Sequence, residues 1–257
     1  MELASPAEYA KRGVMAVQEY AALAARSLSN VFRQPRYVAD MAQQADFIGV
    51  GSLPIVALTG MFTGIVLAQN TANTLQRFGS LSLTGQLVSL SMVRELGPVL
   101  TSLMVAGRNA SGMASELGSM KVTEQIDAMR ALGTDPLKKL VTPRVISTVI
   151  MMFFLTIIAD LVGLIGGWLY SFLLLGLDTY QYWHTAYQKL TYNDVSTGLI
   201  KPLFFGFIIA TVGCYYGMTT TGGTQGVGRS TTQAVVVSSI LILATDVVLT
   251  QFMLQFS

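Results

Sequence analysis

Arg94 and Glu95 stand side by side inside an apolar run from Leu81 to Ala106, directly before Leu96-Gly97-Pro98. A charge at membrane depth is costly, so such a pair marks a pathway, a partner or a pocket. One reading places both residues on the wall of a cavity, with Arg94 meeting a phosphate, since guanidinium matches phosphate geometry. The other is structural: an intramembrane ion pair, or a bond to backbone freed where Pro98 disrupts the preceding turn. Adjacent helix residues diverge by about 100°, so the two need not face one target. Asp160 and Asp246 are lone carboxylates in other apolar runs. A proton relay is conceivable there; structural hydrogen bonding is the preferred reading. His184 is the only histidine and Cys214 the only cysteine. A histidine metal site, a Ser-His triad and an internal disulfide are therefore not expected, and Cys214 reads as a buried small hydrophobe. No catalytic group and no metal site is assigned.

The elements that must hold these residues are membrane helices. Of 257 residues, 52% are hydrophobic and 12% charged, with mean hydropathy +0.54. Soluble domains carry about 25% charged residues. The fold class is an all-α integral membrane protein. An N-terminal amphipathic region (1–46) precedes a transmembrane domain (47–257). Ser5, Pro6 and Glu8 give a cap, a helix-opening proline and a capping-box acid. Val14, Val17, Ala21, Ala24, Leu28 and Val31 then recur at helical spacing, with Lys11, Arg12, Glu19 and Arg26 opposite. This helix, Ser5 to Phe32, lies on a membrane surface or packs on a soluble partner.

About five spans follow, each near the roughly 20 residues a bilayer requires: Phe47–Gln69, Leu81–Ala106, Val145–Leu177, Leu203–Met218 extended toward Leu199 or into the next threonines, and Ala234–Phe256. The third would reach roughly 50 Å against a core of about 30 Å, so it tilts, protrudes or breaks. Gly163, Gly166 and Gly167 are the expected bend. Gly60-x-x-x-Gly64 and Gly163-x-x-x-Gly167 are small-residue patterns that permit close helix packing. Arg26, Arg33 and Arg36 precede the first span, six Lys or Arg from Arg108 to Arg144 separate the second and third, and Arg229 separates the fourth and fifth. The alternate loops hold Arg77 and Lys189, with Lys201 at an edge. The positive-inside rule puts the N-terminus and the 108–144 loop in the cytoplasm and the C-terminus outside.

That loop is built rather than slack. Met113, Leu117 and Met120 share one face; Val122, Ile126, Met129 and Leu132 form a second stripe. Glu124, Gln125, Asp127 and Arg130 lie on the polar side. Gly133 is a helix stop, and Asp135-Pro136 and Thr142-Pro143 each read as cap plus first helical residue. Such a segment docks on another protein or lies on the membrane. Gly223-x-x-x-x-Gly228-Arg229-Ser230 imitates a phosphate-binding loop, but Arg stands where Lys is required and no strand precedes it. It reads as a Gly/Thr-rich cytoplasmic turn, so any ATPase is another chain.

The run RELGPVLTSLMVAGRNASGMASELGSMKVTEQIDAMRALGTDPLKKLVTPRV, Arg94 to Val145, resembles the signature of the MlaE/YrbE family, permease subunits of Mce-type ABC lipid transporters. Span number, length and the N-terminal helix extend the resemblance over nearly the whole chain. It implies a multi-pass protein of the bacterial inner membrane and a homodimer. Two cytoplasmic ABC ATPase subunits bind the ATP, and a hexameric Mce-domain protein sits on the outer side. Phospholipid or related lipid would move between inner and outer membranes. This chain would carry no cofactor and no enzymatic activity, and no nucleic-acid partner is expected. Glu116, Thr123, Glu124, Gln125, Ile126, Asp127, Met129 and Arg130 would couple to the ATPase; Arg130 stands where many members carry an acid. The substrate path, walled by spans one and two, would include Leu67, Leu87, Leu90, Ser91, Arg94 and Glu95. The competing reading is a proton-coupled secondary transporter using Asp160 or Asp246. A lipid-modifying enzyme would need a cluster of carboxylates or histidines that the sequence lacks. The lipid, the direction of transport and the Mce partner's contacts are not written in these residues.

Overall fold

A computed structural model describes residues 6–31 and 37–255. Ser5, Phe32, Arg33, Arg36 and Phe256 lie outside the described residues. Among the described residues ten α-helices run in chain order: α1 (Pro6–Val31), α2 (Val38–Gln76), α3 (Thr84–Ser91), α4 (Gly97–Val105), α5 (Ser111–Val122), α6 (Gln125–Ala131), α7 (Thr142–Leu175), α8 (Thr179–Gln188), α9 (Tyr192–Met218) and α10 (Gly223–Leu254). Five continuous helical runs are long and apolar enough to cross a membrane: 38–76, 81–122, 137–175, 192–218 and 223–253. No strand occurs among the described residues.

Span two is α3, α4 and α5 joined by two π-turns, Met92–Leu96 and Ala106–Ala110. A π-turn inserts one residue into the helical register and is common at functional sites. Residues 108–122 are therefore the continuation of a span, not a loop. Met113 and Leu117 are buried against Leu23, Ile48, Val145 and Cys214. The connector proper shrinks to the stretch from Thr123 to Pro136.

The third span is an unbroken helix from Thr142 to Leu175, entered through a π-turn at Leu137–Val141. The helix runs through Gly163, Gly166 and Gly167 without interruption. These glycines form a seam with α2 and its neighbours. A side chain on Gly64 would run into the carbonyl of Gly163, one on Gly60 into Ala159, and one on Gly166 into Met61. The two small-residue patterns thus meet each other in close backbone approach. Thr142 is not a cap either, because the helix passes through it and its hydroxyl donates to the Leu137 carbonyl at 3.2 Å.

Span four extends on its N-terminal side, so Lys201 sits within it, fully buried, rather than in a loop. With Lys201 inside a span, the alternate loops hold only Arg77 and Lys189 among the described residues. The Gly223–Ser230 motif is the first two turns of α10, not a turn between helices. The amphipathic helix α1 docks through Tyr20, whose hydroxyl lies 2.9 Å from that of Thr211, and through buried Leu23 and Ser27. Val14, Val17 and Leu28 of its apolar stripe point away from the bundle, as an interfacial helix requires.

Candidate functional site

Pro98 has no backbone N–H, so the carbonyl one helical turn earlier, that of Arg94, loses its donor. Lys201 of span four supplies one: its Nζ donates to Arg94 O at 3.1 Å. The same ammonium donates to Glu95 Oε2 at 2.6 Å and lies 3.0 Å from Asp246 Oδ1 in span five. The Asp246 approach is an ion pair without hydrogen-bond alignment. Thr250 Oγ1 donates to Glu95 Oε1 at 3.3 Å. Arg94 turns the other way: its Nε donates to Asp194 Oδ1 at 2.5 Å, and a terminal nitrogen pairs with the same oxygen.

Asp194 is held by its own helix start. Thr191 and Asp194 form a capping box, with the Thr191 backbone and hydroxyl donating to Asp194 Oδ2 at 2.8 and 2.6 Å. Two cations and three carboxylates from spans two, four and five thus form one network. Lys201 is fully buried, whereas the side chains of Arg94 and Glu95 are 42% and 41% exposed. Those two remain accessible to a ligand while being anchored from behind.

The exposed faces of Arg94 and Glu95 open into a small polar pocket with Asn193, Asp194, Thr197, Thr250 and Met253. Asn193, Thr197 and Met253 also line an adjoining groove of about 400 Å³, walled by Ile200, Phe204, Leu249 and Phe252. A charged spot therefore opens sideways onto an apolar trough between spans four and five. Leu67 lines a separate groove with Phe62, Thr63, Val66, Asn70 and Leu96. Leu87, half-exposed, and Leu90 and Ser91, less so, line neither groove.

Sequence reading missed Asp194 and Lys201. Signals for both existed. Thr191-x-x-Asp194 before an apolar run is a capping-box pattern. Glu95 and Asp246 each required a cation inside the bundle, and Lys201 was the one Lys at the edge of a span. Asp246 is committed to that lysine. Asp160 is buried, and its Oδ1 has no hydrogen-bond partner among the described residues. The expected structural hydrogen bond at that oxygen is not found.

At the far end of span two, Thr123 and Glu124 break α5 from α6. Glu124 takes φ of +60°, a left-handed conformation that costs a non-glycine residue about 1–3 kcal/mol. Ile126 is fully buried and anchors α6, while Leu132 is 84% exposed. Asp127 receives Lys121 at 2.8 Å and Arg130 at 3.1 Å. The Lys121 hydrogen bond, first among these, holds the Asp127 carboxyl below the usual carboxylate range. Gln125 donates to the Thr123 hydroxyl at 3.0 Å, and Met129 is half-buried. Gly133 closes the helix at φ +77°, with its N–H on the Arg130 carbonyl and that of Thr134 on Met129. This is the αL stop its position suggested. Asp135 caps the next helical run through the Leu137 N–H at 3.0 Å. Glu116, itself 55% exposed, lies on α5 apart from this group and pairs with buried Arg144 of α7 at 2.8 Å.

The family profile described as Permease MlaE matches residues 41–252. The chain belongs to the MlaE permease family. A probable ABC transporter permease of Rickettsia typhi is 43% identical over 89% of this chain and 88% of its own length. The intermembrane phospholipid transport system permease protein MlaE of Haemophilus influenzae is 35% identical over 83% and 82%. The chloroplastic protein TRIGALACTOSYLDIACYLGLYCEROL 1 of Arabidopsis thaliana is 36% identical over 98% of this chain and 71% of its own length. This MlaE-family protein is a multi-pass membrane permease, and the α5–α6 connector and, Met253 aside, both grooves lie within the matched residues.

Proposed function

We propose that this permease is the membrane subunit of an ATP-driven transporter that moves phospholipid between the inner and outer membranes of a bacterium. One observation carries the reading: the pocket exposing Arg94 and Glu95 shares a wall with an apolar groove. An amphipathic molecule fits such a site, with its headgroup at the charged spot and an acyl chain along Ile200, Phe204, Leu249 and Phe252. The Haemophilus relative is named for intermembrane phospholipid transport, which accords with it.

Span five flanks the groove and is the least buried span, with 11% of its most apolar stretch buried against 50% in span four. A second copy of the chain against this face would turn the open trough into a shared cavity. The connector supplies the other half of the machine. Its αL hinge at Glu124, buried Ile126 anchor and exposed Asp127, Arg130 and Leu132 suit a short stiff helix that seats on a cytoplasmic ATPase. That subunit would hold the ATP. This end would face the cytoplasm, and the α8 end, with the C-terminus, would face the periplasm and an Mce-domain partner. The chain itself would need no cofactor and catalyse no reaction.

The test is photo-cross-linking of a diazirine-bearing phospholipid to the reconstituted complex. Adducts are expected on Phe204 or Phe252, weakened several-fold by Arg94→Ala. Labelling indifferent to both the groove and Arg94 would refute the reading. The competing proton-driven reading has one specific support, the unpartnered Asp160. Purified chain alone in liposomes, moving lipid on a pH gradient without ATPase, would establish it instead.

A further inference from the structure

We propose that the π-turn at Met92–Leu96 is a movable register shift, locked by Asp160 seated against Gly97, and that its migration re-aims Arg94 and Glu95. The face that span two turns to α7 can be followed residue by residue. Val88 meets Gly167, Met92 meets Gly163, and Gly97 meets Asp160. The step from Val88 to Met92 is four residues, as an α-helix requires, but from Met92 to Gly97 it is five. The extra residue is the π-turn, closed by the Gly97 N–H on the Met92 carbonyl. The insertion is what turns Gly97, rather than Leu96, toward Asp160.

Asp160 occupies the space where residue 97 would carry a side chain, so that a Cβ on Gly97 would overlap Asp160 Oδ1. If the shift moved toward the C-terminus, Leu96 would take the place of Gly97, since each residue turns about 100° on a helix. Its side chain would then meet the carboxylate. Asp160 thus excludes that register while the seam is closed. The small cavity beside it offers no counter-charge: α2 presents Val56, Thr59, Gly60 and Thr63 there, and span two presents Met92, Leu96, Gly97, Leu100 and Thr101. Asp160 makes no ion pair among the described residues, so steric fit rather than attraction holds the lock.

The consequence for the site is direct. Arg94 and Glu95 are two of the five residues in the turn, and a one-residue migration would rotate them by about 100° about span two. Asp194 would lose Arg94, Thr250 would lose Glu95, and Lys201 would keep only Asp246 as its ion-pair partner. The second π-turn, at Ala106–Ala110, brackets α4 from the other side. Its Arg108 is clamped on α2, donating to Phe47 O at 3.1 Å and Ser52 Oγ at 2.9 Å. The short α4 is therefore a nine-residue cylinder between two register shifts, free to turn if both move. Asp160 is a positioning residue in this scheme, acting through Gly97. The inference stands whatever the groove carries.

The test is a size-swap cycle in the full chain in nanodiscs. Cysteines at positions 95 and 250 (Glu95→Cys, Thr250→Cys) are bridged by a short bis-thiol reagent; the native Cys214 is buried. Asp160→Ala empties the space that bars Leu96, so it is expected to lower bridging about fivefold or more, whereas isosteric Asp160→Asn is expected to keep it within about twofold of the parent. Leu96→Gly, with Asp160 kept, lets residue 96 fit as Gly97 does and is expected to lower bridging likewise. Parent-like bridging in Asp160→Ala overturns the lock. So does an equal loss in Asp160→Asn. If Asp160→Ala yields no folded protein, lowered bridging in Leu96→Gly supports the proposal, and parent-like bridging there overturns it.

Discussion

The ion pairs at the first π-turn join residues 100 and 106 positions apart, while those of α6 join residues six and three apart. The first set binds three spans into one body around Arg94 and Glu95. The second set holds a helical turn together and binds it to nothing distant. Charge is thus spent on rigidity at the groove and on local self-sufficiency at the connector. The connector keeps its shape by itself, as a part handed to another protein must.

The sharpest way to break this comparison is Lys201→Met. Removing one member of a buried pair leaves uncompensated carboxylates and costs about 3–5 kcal/mol. A large fall in the thermal midpoint of the purified permease is expected, partly recovered by adding Glu95→Gln and Asp246→Asn. A loss below about 1 kcal/mol would mean that the network does not bind the spans. Arg94→Ala should be milder, because its side chain is 42% exposed and its partner Asp194 keeps the capping box. A stability change under about 1 kcal/mol is expected together with a several-fold fall in lipid cross-linking. Lower stability with unchanged cross-linking would make Arg94 a strut.

The connector predicts the opposite pattern. Glu124→Ala with Asp127→Ala should release a co-purified ATPase while the melting midpoint stays put. Glu124→Gly separates side chain from backbone: it relieves the left-handed strain, and retained ATPase would show that the hinge matters and the carboxylate does not. Acid gives the smallest effect. Asp127 has a folded carboxyl pKa below its unfolded value, so its contribution is present above the unfolded value, about 4, and fades as pH falls through the folded one. The protection factors of α6 amides, taken relative to intrinsic base-catalysed exchange, should be unchanged from pH 8 to 5 and fall only well below pH 4. Loss of protection near neutrality would show that another group holds α6.

The legible parts of this protein were those written in neighbouring residues. The five spans, the Gly133 stop, the Asp135 cap and the paired glycine patterns are local in sequence and were found there. Lys201 was misplaced because its partners lie on two other helices, and the polar residues before it resemble a loop edge. The π-turn was invisible for a different reason. Its trace is a single step of five in place of four between Met92 and Gly97, which has meaning only once the opposing helix is known. The apolar stripes of the 108–122 segment were real, but what they cover is the bundle's own core. Periodicity shows that a face is buried without saying against what.

The glycine seam between α2 and α7 makes a plank of double thickness from two helices of 39 and 34 residues. At about 1.5 Å per residue both exceed a bilayer's hydrocarbon core of about 30 Å. Their mismatch is shared, since neither can lean without the other. A change in lipid chain length would therefore be felt by the two helices as one body, at a modest cost for each ångström of mismatch. Span two, which packs on this plank through Val88, Met92 and Gly97, would be carried with it.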